Sequence, residues 1–469
     1  MNGAIAASNR QIICLMILTA VVYANAFSGS FQFDDFSAIS ENPHLGSWRT
    51  FVGHLDHMVR PVLYATFLAD RTLFGGNETG YHILNWLLHL GCGILMYLVL
   101  THGVTEQERH VPFWTAAFFL VHPLQTETVT YISGRATGLM AFFYLSAFAL
   151  YLKATEPRVD GPTQRLYLIA ALVLFALALG SKETAVTFPL ALLLWDMTIR
   201  RLTGAALRRS FMFRHAPFWL LLLAVAAAWI FWHPRYLALA RFSLEIRPLT
   251  ENLLSEVHAL SYSLRLLFSP WEQNFDHDLP VFHSVFQWPL PLDLVILGGL
   301  AAAALLTLRR VPLFSFGIGW FFLQLIPTSI IPRNDLLSER NLYLASIGLL
   351  LAIVISASHL ARRPVGVPPL PKIARIGTAA LAWLLISTLA LMTIQRNGLY
   401  RGPVLLWSDA IEKSPRKARP HNNLGHAYAL RGDWDNAIEE FRTAARLDPD
   451  YALAQENLRA AYLHHIGRR

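Results

Sequence analysis

The sequence has little charge. Asp, Glu, Lys and Arg make up 15% of its 469 residues, whereas an average soluble domain has about 25%. Charge is almost missing from four long stretches, at 165–180, 218–232, 292–308 and 376–394. A soluble core of this size needs a matching polar surface. The composition therefore excludes a soluble globular protein and predicts helices embedded in lipid.

Cysteine is also scarce. The two cysteines, Cys14 and Cys92, both lie inside apolar segments, which excludes a disulfide framework and a cysteine-rich metal site. The net charge of +8 does not indicate a nucleic-acid partner, because the basic residues lie mainly in short loops between apolar segments, where membrane topology explains them. The chain contains no soluble nucleotide-binding domain, so we expect no nucleotide-sugar site.

The apolar segments predict an all-α, polytopic transmembrane helical bundle of about eleven or twelve spans. Segment 11–27 lacks a convincing cleavage site and is interpreted as a retained first span rather than a signal peptide. Segments 111–122 and 185–199 are short for a full crossing of about 20 residues. The remaining candidate spans are 81–101, 138–153, 165–180, 215–233, 253–269, 290–308, 311–331, 340–360 and 374–395.

The basic loops predict the orientation of the bundle, and one segment decides the number of spans. The loop at 200–214 holds five arginines and is expected to be cytoplasmic, as are the basic loops after the spans that end at 308 and 360. These loops agree if 253–269, which carries charged residues, is a re-entrant or membrane-lying helix. There are then eleven spans, and the tail lies outside with the loop at 28–80. If 253–269 crosses, there are twelve spans and the tail is cytoplasmic.

The polar tail predicts a short tetratricopeptide module. In segment 418–449 a helix–turn–helix pattern follows the 34-residue period of such repeats. The pattern residues are Leu424, Gly425, Tyr428, Ala437, Phe441, Ala444 and Pro449. Half repeats flank this full repeat, which divides the chain into a membrane domain at 1–398 and a repeat module at 399–469. The alternative is a generic helical hairpin.

Asp34 and Asp35 directly follow the first span. Paired carboxylates at a membrane boundary raise each other's pKa, which suits a general base that takes a proton from an acceptor hydroxyl. The alternative is a solvated turn that caps a helix.

Other ionisable groups lie in spans or between them. His82, Asn85 and His89 share one helix face, which favours either a cavity lining or a hydrogen-bonded helix seam. Most of the remaining groups are expected on the outer face, where cations beside carboxylates suit a reaction with a phosphate leaving group; each pair is alternatively a salt bridge at a helix end. Those candidates are His122, Glu127, Arg135, Lys182, Glu183, Glu339 and Arg340, with Arg235, Arg241 and Arg247 as possible contacts to a lipid phosphate. No metal site is indicated.

Ordered motifs run along nearly the whole chain. They are FDDFSAISENPHL, RPVLYATF, YHILNWLLH, HPLQTETVTYISGRATGL, SKET, SERNLYLAS and the terminal repeat. Together they resemble the GT-C membrane glycosyltransferases, and within them the tetratricopeptide-containing O-mannosyltransferases. The short tail is similar to a bacterial-type member. It has far fewer repeats than the eukaryotic relatives, and Ala345 stands where the family tends to have proline.

The resemblance implies a GT-C fold with the active site on the outer face. It also implies a polyprenyl-phosphate sugar as donor and, often, a protein hydroxyl as acceptor. The catalytic acid is expected in the first outer loop, at Asp34 or Asp35, with Asp35 favoured. Donor-binding or site-shaping roles are implied for the other candidates at family motif positions.

The sequence thus predicts an inverting glycosyltransferase, with multiple spans in a bacterial inner membrane and its active site and tail in the periplasm. No cofactor is expected. The expected partners are the polyprenyl-linked sugar, membrane lipid, a protein or cell-envelope acceptor and a protein bound by the repeat. One alternative is a transporter or a scaffold that recruits partners, although no inverted repeat of spans is apparent. Another is a GT-C enzyme that modifies lipid or polysaccharide.

Overall fold

The computed structural model describes residues 2–232, 234–361 and 372–466. All regular secondary structure in this part of the chain is helical, and it contains no β-strand. Its α-helices are, in chain order, α1 Asn2–Val22, α2 Trp48–Val52, α3 Pro61–Phe74, α4 Glu78–Thr101, α5 Val111–Val121, α6 Thr126–Val129, α7 Arg135–Ala154, α8 Gly161–Ser181, α9 Phe188–Thr198, α10 Gly204–Ser210, α11 Ala216–Trp232, α12 Pro234–Ile246, α13 Leu249–Phe268, α14 Leu290–Thr307, α15 Pro312–Ile330, α16 Leu342–Leu360, α17 Lys372–Leu399, α18 Pro403–Lys413, α19 Ala418–Leu430, α20 Trp434–Leu447 and α21 Ala452–Ile466.

Nine helical segments of the described residues are long and apolar enough to cross a membrane. These are Ser8–Ser28, Glu78–Thr101, Ile132–Ala154, Gly161–Ser181, Gly204–Phe231, Leu290–Thr307, Pro312–Ile330, Glu339–Leu360 and Gly377–Leu399. The predicted all-α membrane bundle is confirmed, but three of the twelve predicted spans do not qualify by length and composition.

Two of those three segments are short. Helices α5 and α9 have 11 residues each, so each rises about 16 Å and reaches roughly half way across a hydrocarbon core of about 30 Å. Both helices are largely buried among neighbouring helices. Neighbouring helices therefore shield both short helices.

The third segment is α13, which has 20 residues but is too polar to qualify. Near its start, the Asn252 side chain donates to the carbonyl of Ser329 at the end of α15, at 2.9 Å. Near its end, the Leu267 carbonyl lies 3.0 Å from Nε2 of His122, just after α5. The ends of α5 and α15 lie on the same side of the bundle, since the segments that follow them meet there through Glu127 and Arg340. This arrangement favours the membrane-lying interpretation of α13.

Close packing fixes the position of α16, which begins at the end of the bundle where Glu127 and Arg340 meet. Helices α15 and α16 pack closely at Gly317 and Gly348, where a Cβ on Gly317 would lie 2.4 Å from the Gly348 carbonyl oxygen. Only glycine permits so close an approach of two backbones. The contact holds α16 against the core and thereby places the loop that precedes it.

The tail is helical and packs on the same end of the bundle. Helices α19 and α20 cover the segment predicted as the full repeat, and Gly425 faces the Phe441 ring. Helices α18 and α21 flank them. The Tyr400 carbonyl accepts a hydrogen bond from the backbone N–H of Ser30, at 3.0 Å. The repeat module therefore lies beside the loop that follows the first span, and whether this side is periplasmic stays a prediction.

Candidate functional site

The candidate site lies at the end of the bundle that carries the repeat module. Four connecting segments meet there. The loop after α1 brings Asp34, α6 brings Glu127, the turn between α8 and α9 brings Lys182, and the loop before α16 brings Arg340. These groups come from distant parts of the sequence, and their meeting brings several of the predicted outer-face charges into one region.

Asp34 is the accessible carboxylate of the predicted pair. Its side chain is 44% exposed, and Oδ2 lies 3.9 Å from Nη1 of Arg340. The Tyr131 hydroxyl accepts a hydrogen bond from the Asp34 backbone N–H at 3.0 Å. The preceding residue, Phe33, has φ of 40°, in the left-handed region that a bulky residue rarely adopts. Such strain persists only where the surroundings impose it, so the turn that presents Asp34 is fixed by its contacts.

Asp35 is fully buried and occupied by hydrogen bonds. Its Oδ2 accepts from the backbone N–H of Gln32 at 2.9 Å, and its Oδ1 accepts from the backbone N–H and the hydroxyl of Ser133. Burial raises the pKa of the Asp35 carboxyl to about 7. Asp35 ties the outer loop to the segment before α7 and offers no free oxygen to a substrate. The geometry therefore moves the expected base from Asp35 to Asp34.

Glu127 fixes the backbone beside Arg340. Its Oε2 accepts from the Arg340 backbone N–H and its Oε1 from the Ser338 hydroxyl, both at 2.9 Å. The Nε of Arg340 lies 3.5 Å from Oε1, and its guanidinium lies over the Tyr131 ring, 5.8 Å from the centroid. Burial raises the pKa of Glu127. The Arg340 side chain is held loosely while its backbone is held firmly.

Four basic side chains surround this point, and we call Arg60, Lys182, Arg333 and Arg340 the cation group. Lys182 is buried, and among the described residues its Nζ donates only to neutral oxygens, Thr137 Oγ1 at 2.8 Å and Asn341 Oδ1 at 3.1 Å. Burial, followed by the charges of Arg340 and Arg60, lowers its pKa well below the usual value. Burial also lowers the pKa of Arg333, where the carboxylate of Glu256 opposes the shift and the charge of Arg340 adds to it. Cations that depress one another in this way mark a place that favours an anion.

The cation group is only partly neutralised. Arg60 forms a two-pronged pair with Glu183, at 2.7 and 3.0 Å, and although burial alone would raise it, this pairing lowers the pKa of Glu183 to about 2. The Arg333 Nη2 donates to the Thr328 carbonyl at 3.2 Å, while its buried Nε has no hydrogen-bond partner among the described residues. Donors without partners are costly when buried, so Arg333 is poised to bind a further acceptor.

Arg60 and Arg333 were missed in the sequence. Arg60 opens the motif RPVLYATF, which supported the resemblance but was not assigned a site role. Arg333 follows Pro332 just before the motif that contains Arg340. A proline beside each arginine, directly outside a helix, was the available signal.

Three predicted histidines are hydrogen-bonded within the membrane domain. The Nε2 of His82 lies 3.1 Å from the Gly29 carbonyl oxygen. His89 is bonded to the Tyr343 hydroxyl at 2.8 Å and to the Leu120 carbonyl at 3.2 Å. His122 is bonded to the Leu267 carbonyl, as described above. All three are buried. The contacts of His89 with α5 and α16 match the alternative of a hydrogen-bonded helix seam.

Arg135 also lies away from the cation group, inside a closed cluster that we call the Arg135 cage. It pairs with Asp70 and donates to Asn85 Oδ1 at 2.7 Å and to the Tyr81 carbonyl at 2.9 Å. Its guanidinium lies 4.7 Å from the centroid of the Phe67 ring. The side chain is fully buried, so it braces α3, α4 and α7 against one another.

The remaining predictions divide between support and surface. Glu339 is buried and accepts three hydrogen bonds from the loop at 273–277, so it supports its neighbour Arg340. Arg247 donates to Asn252 at 2.9 Å and reaches the Arg333 carbonyl at 3.5 Å. Arg241 is exposed, and the side chain of Arg235 lies outside the described part of the chain.

An apolar groove of about 1020 Å³ lies between α13, α14, α15 and α16. Its wall includes Leu264, Leu300, Ile318 and Leu349, and its polar rim includes Tyr262. The Tyr262 ring lies 5.5 Å from that of His277, which is bonded to Glu339. Among the described residues, no group of three or more His, Cys, Asp or Glu side chains is placed to hold a metal ion, and the expectation of no metal stays a prediction.

Comparisons with known proteins agree with the motifs. The TPR repeat family model matches residues 425–464. Human protein O-mannosyl-transferase TMTC4 is 27% identical over 486 residues, which cover 90% of this chain and 64% of that protein. Drosophila melanogaster protein O-mannosyl-transferase Tmtc3 is 24% identical over 521 residues, which cover 94% of this chain and 55% of that protein. Over nearly its whole length, the chain is similar to protein O-mannosyl-transferases.

This similarity confirms the resemblance predicted from the motifs. The chain nevertheless spans less than two thirds of the length of these relatives. Their activity is therefore not assigned to this chain by similarity alone. Among solved structures, ArnT from Cupriavidus metallidurans bound to undecaprenyl phosphate is 13% identical. The match covers 95% of this chain and 77% of ArnT, with a TM-score of 0.39.

Proposed function

We propose that this protein is a GT-C-type membrane glycosyltransferase that transfers a sugar from a polyprenyl-phosphate donor to an acceptor hydroxyl, with protein as the favoured acceptor. The observation that carries the proposal is an accessible carboxylate, Asp34, next to a partly neutralised group of four cations at one end of a membrane bundle. Similarity to protein O-mannosyl-transferases supports the class of reaction.

Asp34 acts as the general base. It takes the proton of the acceptor hydroxyl as that oxygen forms a bond to the anomeric carbon of the sugar. The bond between the anomeric carbon and the phosphate oxygen breaks in the same step, and the electron pair leaves with the polyprenyl phosphate. Attack opposite the leaving group inverts the anomeric centre. The Arg340 guanidinium lies 3.9 Å from the Asp34 carboxylate, so it is close to the position of the attacking hydroxyl.

The cation group receives the leaving phosphate. Charge grows on the phosphate as the bond breaks, and the nearby cations stabilise that charge. Arginine binds phosphate through paired N–H donors, and Arg333 has a buried donor without a partner among the described residues. A bound phosphate also favours the charged form of Lys182, which the neighbouring cations otherwise suppress.

The carrier chain is assigned to the apolar groove between α13 and α16. A volume of about 1020 Å³ accommodates several isoprene units and leaves the rest of the carrier in lipid. The polar rim of the groove reaches towards Arg340 through Tyr262, His277 and Glu339. We propose that the reaction takes place on the periplasmic side of a bacterial inner membrane.

A panel of polyprenyl-phosphate sugars, incubated with purified protein and with protein, lipid and polysaccharide acceptors, tests the proposal. Wild type is expected to transfer one sugar to a protein hydroxyl, and Asp34→Asn is expected to lose the transfer. Transfer only to lipid or polysaccharide would replace the protein acceptor. Absence of turnover with every donor would leave the transporter or scaffold alternative.

A further inference from the structure

The repeat module meets the candidate site through two loops of the membrane domain. One is the loop at 273–278. The other is the loop at 331–341, which carries Arg333 and Arg340 and which we call the arginine loop. Both loops contact the start of the module at α18 and α19 rather than its far end.

An ionic cluster joins the module to both loops. Arg419 binds Asp276 through two donors, with Nε to Oδ2 at 2.7 Å, and also reaches Asp335 Oδ1 at 2.7 Å. Lys417 pairs with the same two carboxylates, at 2.6 and 3.0 Å. The Asp276 side chain is 1% exposed. Two cations of the module thus bridge one carboxylate from each loop, in a setting where ion pairs are little screened by salt.

The loop at 273–278 passes this attachment on to the arginine loop. Lys413 donates to the Gln273 carbonyl at 2.7 Å, and the Ser414 hydroxyl is bonded to Asn274 Nδ2 at 2.7 Å. On the opposite side of the loop, Gln273, the backbone N–H of Asn274 and His277 all bind the buried Glu339 carboxylate, at 2.6–2.9 Å. Glu339 directly precedes Arg340, so the module fixes the arginine loop at Asp335 and again at Glu339.

An aromatic contact joins the module to the turn that presents Asp34. The Phe33 ring packs edge-on against Trp407 of α18, with 5.5 Å between centroids, and against Phe275, at 6.3 Å. The Tyr400 carbonyl, just before α18, accepts from Gln32 Nε2 at 3.1 Å. These contacts surround the left-handed Phe33 backbone and supply the constraint that its conformation requires.

We infer that the repeat module is a clamp that positions both halves of the site: Lys417 and Arg419 hold the arginine loop through Asp276 and Asp335, and Trp407 holds the Asp34 turn through Phe33. Repeat modules commonly bind partners along their surface, but the start of this one is occupied by the chain itself. This inference rests on the proposed function for its kinetic consequences, while the clamp itself is a structural claim.

Hydrogen–deuterium exchange on the purified full-length protein tests the clamp without any substrate. Asp335→Asn removes one carboxylate of the cluster from a side chain that is 33% exposed, so the fold is expected to survive. Exchange in residues 331–341 is expected to accelerate about tenfold. Asp335→Glu keeps the charge and is expected to restore slow exchange. Arg416→Ala, an exposed arginine beside Lys417, is the matched control and is expected to leave exchange unchanged.

Kinetics then separate the two contacts. Asp335→Asn is expected to raise the donor KM about tenfold with little change in the acceptor KM, because it loosens the phosphate-binding cations. Trp407→Phe is expected to lower kcat about threefold with the donor KM unchanged, because it loosens the base. Both values should be close to wild type in Arg416→Ala.

The outcomes distinguish the clamp from the proposed function. Unchanged exchange in Asp335→Asn overturns the clamp, whether or not wild type transfers sugar. Accelerated exchange with no wild-type turnover on any donor keeps the clamp and removes the proposed function. A third outcome is accelerated exchange with an active wild type, but with the same fall in kcat and the same rise in donor KM in Asp335→Asn and Trp407→Phe. That outcome overturns the division of the clamp into two positioning contacts.

Discussion

Arg135 and Arg340 lie at the same end of the bundle but have opposite surroundings. Arg135 is fully buried in its cage, where Asp70, Asn85 and the Tyr81 carbonyl take up its donors. Arg340 is 31% exposed, and its nearest carboxylates lie at 3.5 and 3.9 Å. Each arginine lies at the start of a membrane-spanning helix, so position along the fold does not explain the difference.

The difference distinguishes an arginine that stabilises the fold from an arginine that can bind a ligand. A buried charge with every partner in place contributes to a unique packing and has nothing left to offer a ligand. A cation whose partners are distant or shared retains the capacity to bind an anion. The Arg135 cage is therefore assigned to folding, and the cation group is assigned to the donor phosphate.

The largest effect is expected from opening the cage. Arg135→Met leaves the Asp70 carboxylate buried without its partner, which should lower the free energy of unfolding by about 3–5 kcal/mol. Thermal unfolding of the detergent-solubilised protein measures this loss. The double variant Arg135→Met with Asp70→Leu should recover most of it, and Arg340→Gln should change stability by under about 1 kcal/mol. Equal destabilisation by the two single substitutions at the arginines would erase the comparison.

The next effect is a loss of catalysis with no loss of fold. Arg340→Gln removes a cation from the cation group, while its backbone N–H keeps its bond to Glu127. The donor kcat/KM is expected to fall about 10²- to 10³-fold. Steady-state assays with varied donor measure this change, and Arg416→Gln serves as the control at an exposed arginine. An unchanged donor kcat/KM in Arg340→Gln would remove Arg340 from the site.

A smaller effect is expected at Asp35. Because burial raises its pKa from 3.8 to about 7, the unfolded chain releases this proton at lower pH than the folded protein does. The free energy of unfolding should therefore fall as pH rises from about 4 to 7, by at most about 1.4 kcal/mol per pH unit. Asp35→Asn should remove that slope, as seen in unfolding temperatures at several pH values. A slope identical to that of wild type would contradict the burial of this carboxyl.

The smallest effect concerns the pH dependence of donor binding. The pKa of Lys182 is lowered by burial and by neighbouring cations, so its charge is lost as pH rises through that lowered value. The donor KM should therefore rise severalfold at a pH well below the ordinary lysine pKa of about 10.4. In Lys182→Met the donor KM should be higher at the acidic end and nearly independent of pH. Lys153→Met, at an exposed position at the far end of α7, should keep the wild-type profile.

The helical architecture was readable from the sequence because lipid imposes it. A run of about 20 apolar residues has few alternatives to a membrane span. The repeat is predicted by the spacing of residues such as Gly425 and Phe441. The shorter helices α5 and α9 pass the same composition test but not the length test, because neighbours rather than lipid surround them.

The site was predicted only in part, because side-chain partners are set by tertiary contacts. Adjacent residues Asp34 and Asp35 look equivalent in sequence, yet one points to Arg340 and the other to Ser133. Arg60 pairs with Glu183 across 123 positions, a distance over which no local pattern operates. Arg135 and Arg340 likewise differ only in what the fold places around them.

The central claim is that Asp34 removes the acceptor proton while the cation group holds the donor phosphate. A single-turnover assay with excess purified enzyme over polyprenyl-phosphate sugar tests it most directly, with donor binding measured in parallel. The account predicts that Asp34→Asn binds the donor within about threefold of wild type but releases polyprenyl phosphate at least about 10²-fold more slowly. Release at the wild-type rate by Asp34→Asn would contradict the account.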